Sequence, residues 1–187
     1  MLGGRCGGGE AMSLASSIRP GAEEYASFYG SYVAGVPDGD VTRTLAEQGE
    51  SFLRRLKDIG DQKAAFAYAP GKWTIKEVIL HMADAERVFA YRVLRIARGD
   101  ATPLASFDEN AYTPMSAAND RPLDTLLGEF AAVRGATVAL LRGIPEEAWT
   151  RRGMASGKEV SVRALAWITA GHALHHERIL RERYMVG

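Results

Sequence analysis

Ser161-Val162-Arg163-Ala164-Leu165-Ala166-Trp167-Ile168-Thr169-Ala170-Gly171-His172-Ala173-Leu174-His175-His176-Glu177-Arg178-Ile179 is the stretch whose reading decides the fold. Leu165, Ile168 and Ile179 recur at helical spacing. At about 100° per residue, His172 and His176 fall within the same stripe, one turn apart. The spacing predicts a helix over residues 161–184 whose apolar face carries two imidazoles. His175 lies toward the edge of that face. Buried imidazoles need partners for their ring nitrogens, so the rest of the chain is read for the helices that enclose them.

Three more long amphipathic segments are legible. Val41, Leu45, Phe52, Leu56 and Ile59 mark one over residues 40–59, preceded by a Pro37-Asp38-Gly39 turn. Thr74 and Glu77 form a T-x-x-E capping box that opens the next, and Ile75, Val78, Ile79, Met82, Phe89, Val93 and Ile96 make its stripe. Gly99-Asp100 stops it. The third opens near Pro122, a residue suited to a first helical turn, and Leu123, Leu126, Leu127, Phe130, Val138 and Leu141 line its inner face. A shorter tyrosine-bearing helix is expected over residues 25–36, and one helical turn over residues 145–149. Residues 100–121, with Pro103 and Pro114, read as a connection long enough to be functional. Strand signals are nearly absent. Four long helices imply an all-α four-helix bundle with a short extra N-terminal helix.

One domain fits 187 residues, with a core of useful size. We read residues 1–21 as a disordered tail, in which Met12 is a candidate start, and residues 22–187 as the domain. Lys plus Arg and Asp plus Glu each number 23, so nothing in the charge balance points to nucleic acid. No apolar run approaches the roughly 20 residues of a membrane span. The single cysteine, Cys6, rules out an intrachain disulfide framework and makes a reduced, cytoplasmic setting the simplest reading.

The four histidines carry the functional signal. His172 and His176, at i and i+4, are within reach of one ion, and His81 sits at the edge of the inner face of the second long helix, beside Val78 and Ala85. Spacing alone leaves two readings open, core histidines or metal ligands, and does not choose the third ligand. It does exclude a zincin, since no Glu follows His172, and a di-iron carboxylate bundle, which needs paired Glu-x-x-His motifs. Three imidazoles with an open fourth position are a pattern of catalytic zinc sites.

The segment from Pro70 to Glu77, followed by His81, resembles the start of the second helix in the DinB/YfiT-like superfamily. Gly171-His172-Ala173-Leu174-His175-His176 resembles its last-helix signature, and Phe107-Asp108-Glu109 resembles a loop motif of such proteins. The resemblance runs over residues 40–184. It implies an up-down-down-up four-helix bundle holding one divalent metal, commonly zinc or nickel. The implied ligands are His81, His172 and His176. It further implies a metal-dependent hydrolase or thiol S-transferase acting on a small molecule, with a low-molecular-weight thiol as a possible co-substrate, and a homodimer. Glu177-Arg178 departs from the polar segment, often containing Gln, that follows the histidine pair in relatives.

Four residues are candidates for the catalytic base: His175, Glu177, Asp108 and Glu109. Asp108 and Glu109 can instead cap a turn. Gln48, Glu86 and Arg134 interrupt apolar stripes. Glu86 and Arg134 are expected to pair, since a lone buried charge is very costly. Otherwise Arg134 is a candidate to bind an anionic substrate. Two functions follow: an enzyme, or a non-catalytic stress-response protein whose metal is structural or sensory. A fourth protein ligand or a sealed core favours the second.

Overall fold

The structure, a computed structural model, describes residues 14–186. Its α-helices in chain order are α1 (Gly30–Gly35), α2 (Val41–Leu56), α3 (Gly60–Ala64), α4 (Ile75–Ala97), α5 (Glu109–Met115), α6 (Leu123–Arg142) and α7 (Val162–Tyr184). The four long ones begin where the sequence supplies a start. The Asp40 side chain accepts from the Thr42 amide, Thr74 and Glu77 close their capping box, Pro122 precedes α6, and the Ser161 side chain accepts from the Ala164 amide. Each arrangement satisfies or removes amide donors that a helix start leaves orphaned.

Contacts fix the helix directions. The Leu45 carbonyl accepts from Arg134, and Phe52 meets Phe130 with ring centroids 4.7 Å apart, so α2 and α6 run antiparallel. Gln48 reaches the Ala170 carbonyl and Arg55 pairs with Glu177, so α2 and α7 run parallel. Lys76 donates to the Arg121 carbonyl while Glu86 meets Arg134, so α4 and α6 run parallel. The Tyr184 hydroxyl donates to the Trp73 carbonyl, joining the end of α7 to the start of α4. The order is up-down-down-up, as the family resemblance implies.

The core divides into two apolar clusters. One gathers Leu45, Phe89, Val93, Leu165 and Ile168; the other gathers Phe52, Ile79, Met82, Phe130 and Leu180. On every long helix a polar residue stands where one cluster gives way to the other: Gln48, Glu86, Arg134 and His172. Arg134 donates from Nε to Glu86 Oε1 at 2.8 Å and from Nη2 to Oε2 at 2.8 Å, and from Nη1 to the Leu45 carbonyl at 2.7 Å. The expected pair therefore exists, buried and bidentate. Arg134 is committed to it, so the alternative of a substrate-binding Arg134 falls away.

Several segments differ from the sequence reading. Residues 152–161 form a hairpin where no strand was expected: β1 (Arg152–Ala155) and β2 (Lys158–Ser161) pair across a two-residue turn. Ser156 and Gly157 both hold positive φ, 54° and 71°, which that kind of turn requires. Gly153 lets the hairpin seat on α4, because a Cβ there would lie 2.7 Å from Ile96. The connection over residues 100–121 is not structureless, since it contains α5 and a 3-10 turn at Ala118–Asp120. Residues 14–21, assigned to the tail, are packed: the Ala15 amide donates to Glu146, and Arg19 pairs with Asp38 and covers the Trp167 ring. Cys6 and Met12 lie outside the described residues.

Among the described residues, no helix is long and apolar enough to cross a membrane. The tyrosine-bearing segment, expected as a helix over residues 25–36, is α-helical only over Gly30–Gly35, after a 3-10 turn at Ser27–Tyr29, and it lies on its own bundle. α1 crosses α7 at Gly171, where a Cβ would come within 2.2 Å of the Tyr32 carbonyl oxygen.

Candidate metal centre

His81 comes from the second turn of α4, and His172 and His176 from the middle of α7. The antiparallel packing of these two helices brings the three rings to one point. The three Nε2 atoms form a triangle with every edge 3.1 Å. Each neutral imidazole has one N–H and one lone pair, so three nitrogens facing one another cannot all be satisfied by each other. Zinc–imidazole bonds of about 2.0–2.1 Å in tetrahedral geometry place neighbouring nitrogens about 3.3 Å apart. The donor set and its spacing therefore fit one divalent ion.

Electrostatics favour the same species. Burial holds His81 down to about 4; the Glu109 charge opposes this and His175 adds to it. His172 and His176 lie well below the ordinary imidazole value, first because of burial; His81, His175 and Arg134 then add to it at His172, and His172, His81 and His175 at His176. All three are neutral at pH 7, the form that binds a cation. The Nδ1 of His176 is buried with no hydrogen-bond partner among the described residues.

The triad is the floor of a cavity of about 720 Å³, within the usual range for small-molecule sites. Tyr29 and Tyr32 line it too, with Tyr32 edge-on to His172 at 5.8 Å and tilted against His175 at 5.3 Å. Trp73 packs on His81 at 4.8 Å and, like His176, lines both this cavity and a smaller one of about 240 Å³. No carboxylate joins the triad in the metal-ligating cluster found among the described residues.

The four candidate bases separate cleanly. Asp108 is the N-cap of α5, accepting from the Asn110 and Ala111 amides. Glu177 turns to Arg55 on α2 and is held in an ion pair there. Glu109 lines the cavity, and its charge is felt by His81, Tyr29 and Tyr32. His175 also lines it, half-buried, with burial and then Arg178 lowering its pKa. Sequence reasoning missed Trp73, Tyr29, Tyr32 and Arg92 as cavity residues. The signal for Arg92 was present: it stands eleven residues after His81, three turns along one helical face.

A family model for the DinB superfamily matches residues 44–180. A protein of Bacillus pumilus bearing the name "putative metal-dependent hydrolase" is 25% identical over 152 residues, covering 74% of this chain and 86% of its own. One of Oceanobacillus iheyensis with the same designation is 27% identical over 150 residues, with the same coverage. Among solved structures, YfiT from Bacillus subtilis, described as having "an unusual four-helix bundle topology", superposes with a TM-score of 0.64 at 16% identity, covering 88% of this chain and 93% of that one. The mycothiol-dependent maleylpyruvate isomerase superposes with a TM-score of 0.63 at 16% identity, covering 77% and 61%. These two likenesses concern the fold.

Proposed function

From the premise that the chain belongs to the DinB superfamily, we propose that it is a metal-dependent enzyme acting on a small molecule, by hydrolysis or by transfer of a thiol. His81, His172 and His176 hold the ion. One observation carries this reading: three neutral imidazole nitrogens converge at 3.1 Å on the floor of an open cavity of about 720 Å³. A sealed core or a fourth protein ligand would have favoured a structural metal, and the cavity favours catalysis.

A divalent ion in this place supplies Lewis acidity that makes water or a thiol nucleophilic near neutral pH. The chain's own groups do the rest. Glu109 and His175, both on the cavity wall, are placed to accept a proton from the nucleophile. Trp73, Tyr29, Tyr32 and Phe89 supply an apolar, aromatic enclosure that orients the substrate and excludes bulk water.

The test is elemental analysis of protein purified without a histidine tag, followed by a panel of esters, amides and thiol-conjugation electrophiles before and after chelation. One zinc or nickel ion per chain, and turnover abolished by chelation and restored by the metal, is the expected result. Turnover that survives complete metal removal overturns the reading.

A further inference from the structure

α4 lines the cavity along much of its length. His81, Ala85, Phe89 and Arg92 all face it. From His81 to Arg92 is eleven residues, roughly 16 Å of helix. The metal centre lies toward one end of this span and a cation toward the other. Arg92 is 3% exposed. Its Nη2 donates to the Ala105 carbonyl at 2.8 Å and to the Ser156 hydroxyl at 2.9 Å. The Phe107 ring lies 6.0 Å from the guanidinium carbon, and the Tyr29 hydroxyl is its other neighbour. All of these are neutral. Among the described residues no carboxylate pairs with it, whereas buried Arg134 and buried Lys76 each have one.

A guanidinium taken out of water is strongly disfavoured without an opposite charge. Here the protein fixes Arg92 in place with a carbonyl and a hydroxyl but gives it no paired carboxylate among the described residues, on a cavity wall that also carries Glu109 and the exposed Arg178. Resting on the metal-dependent reading above, we propose that the cavity selects an elongated carboxylic acid, its carboxylate held by Arg92 and the Tyr29 hydroxyl and its labile bond at the histidine triad. One buried cation matches one negative charge, which favours a carboxylate over a dianionic phosphate. Phe89, whose ring lies 5.8 Å from His172 and 6.4 Å from Tyr29, stands between the two ends and calls for an alkyl or aryl middle. Arg92 acts in binding and in setting which bond reaches the triad, not in the chemical step.

The experiment is calorimetric binding of N-benzoyl-6-aminohexanoate and its neutral carboxamide, together with the four- and eight-carbon homologues, to metal-loaded and metal-stripped protein. The expected result is a carboxylate bound at least about tenfold more tightly than its carboxamide, with or without the metal, at one preferred chain length. Arg92→Gln should abolish that ratio while retaining the wild-type metal content. Where Arg92→Gln fails to fold, Arg92→Lys keeps the charge without the fork and should reduce the ratio. A ratio near one in the wild type, or a ratio unchanged in the arginine variants, overturns the proposal. So does a ratio that vanishes on metal removal, since the ion and not Arg92 would then be recognising the carboxylate. A ratio that persists in a protein found to bind no metal supports the carboxylate site and overturns only the metal reading.

Discussion

Arg134 and Arg92 are buried to nearly the same extent, 4% and 3% exposed, yet the protein treats them oppositely. Arg134 has a carboxylate on a neighbouring helix, a backbone carbonyl beyond it, and a glycine, Gly49, that makes room for its stem. Everything its charge needs is supplied from within. Arg92 is held by neutral groups and faces open space, as the histidine triad does. Burial alone therefore does not separate a structural polar group from a functional one. What separates them is whether the fold itself completes the set of partners. Glu86–Arg134 is complete, and its loss should be felt in folding. The triad and Arg92 are incomplete, and their loss should be felt in what the protein binds.

The sharpest test of that contrast uses the triad. His172→Ala or His176→Ala should reduce metal content from one per chain to background, while His175→Ala leaves it intact, as elemental analysis after desalting will show. Stoichiometric metal in His172→Ala would break the assignment. Next in size is the complete pair. Glu86→Gln or Arg134→Met strands a buried charge and should cost about 3–5 kcal/mol in urea unfolding. The double variant should cost much less than the sum, with metal content unchanged throughout. Strict additivity would mean that the two charges do not depend on each other.

Smaller effects refine the picture. Gly171→Ala must push α1 off α7, because the new Cβ meets the backbone oxygen of Tyr32. It should cost about 1–3 kcal/mol and weaken ligand binding more than metal binding; wild-type stability would contradict the close approach. Metal-stripped protein should also lose stability in acid. Burial holds His81 at about 4 in the folded chain, whereas an unfolded histidine takes up its proton near pH 6.5. Between these values the unfolded state binds more protons, so stability is full above about 6.5 and declines toward 4. A urea midpoint that stays constant from pH 7 to 4.5 would show that the triad is not buried when empty.

Much of this was legible in sequence because it rests on periodicity over many turns. The 3.6-residue stripe, Thr74 with Glu77, and Pro122 located three long helices nearly to the residue. The inward direction of His172, His176, Glu86 and Arg134 followed from the same stripe. The hairpin escaped because its strands are four residues each and follow no clear alternation, with one face seated on α4 through a glycine. Residues 14–21 escaped because a 3-10 turn and two long-range contacts of Ala15 and Arg19 leave no periodic trace. The base candidates could not be ranked from sequence, since Glu109 and Asp108 are adjacent in the chain and only the start of α5 decides which one caps and which one faces the cavity. Arg92 was overlooked for a related reason. Its anchors, Ala105 and Ser156, lie in the connection and in the hairpin turn, two of the segments whose shape sequence did not reveal.

Tyr29 and Tyr32, which line the cavity beside the triad, precede the segment of residues 44–180 shared with the superfamily, while all three histidines fall inside it. The triad and the tyrosines beside it therefore have separate addresses in the chain. A comparison confined to the shared segment takes in the three histidines and leaves out Phe28, Tyr29, Ser31 and Tyr32, which line the same cavity. On the reading proposed above, variation at Tyr29 and Tyr32 would change what the cavity accepts without changing the three nitrogens on which a metal would sit.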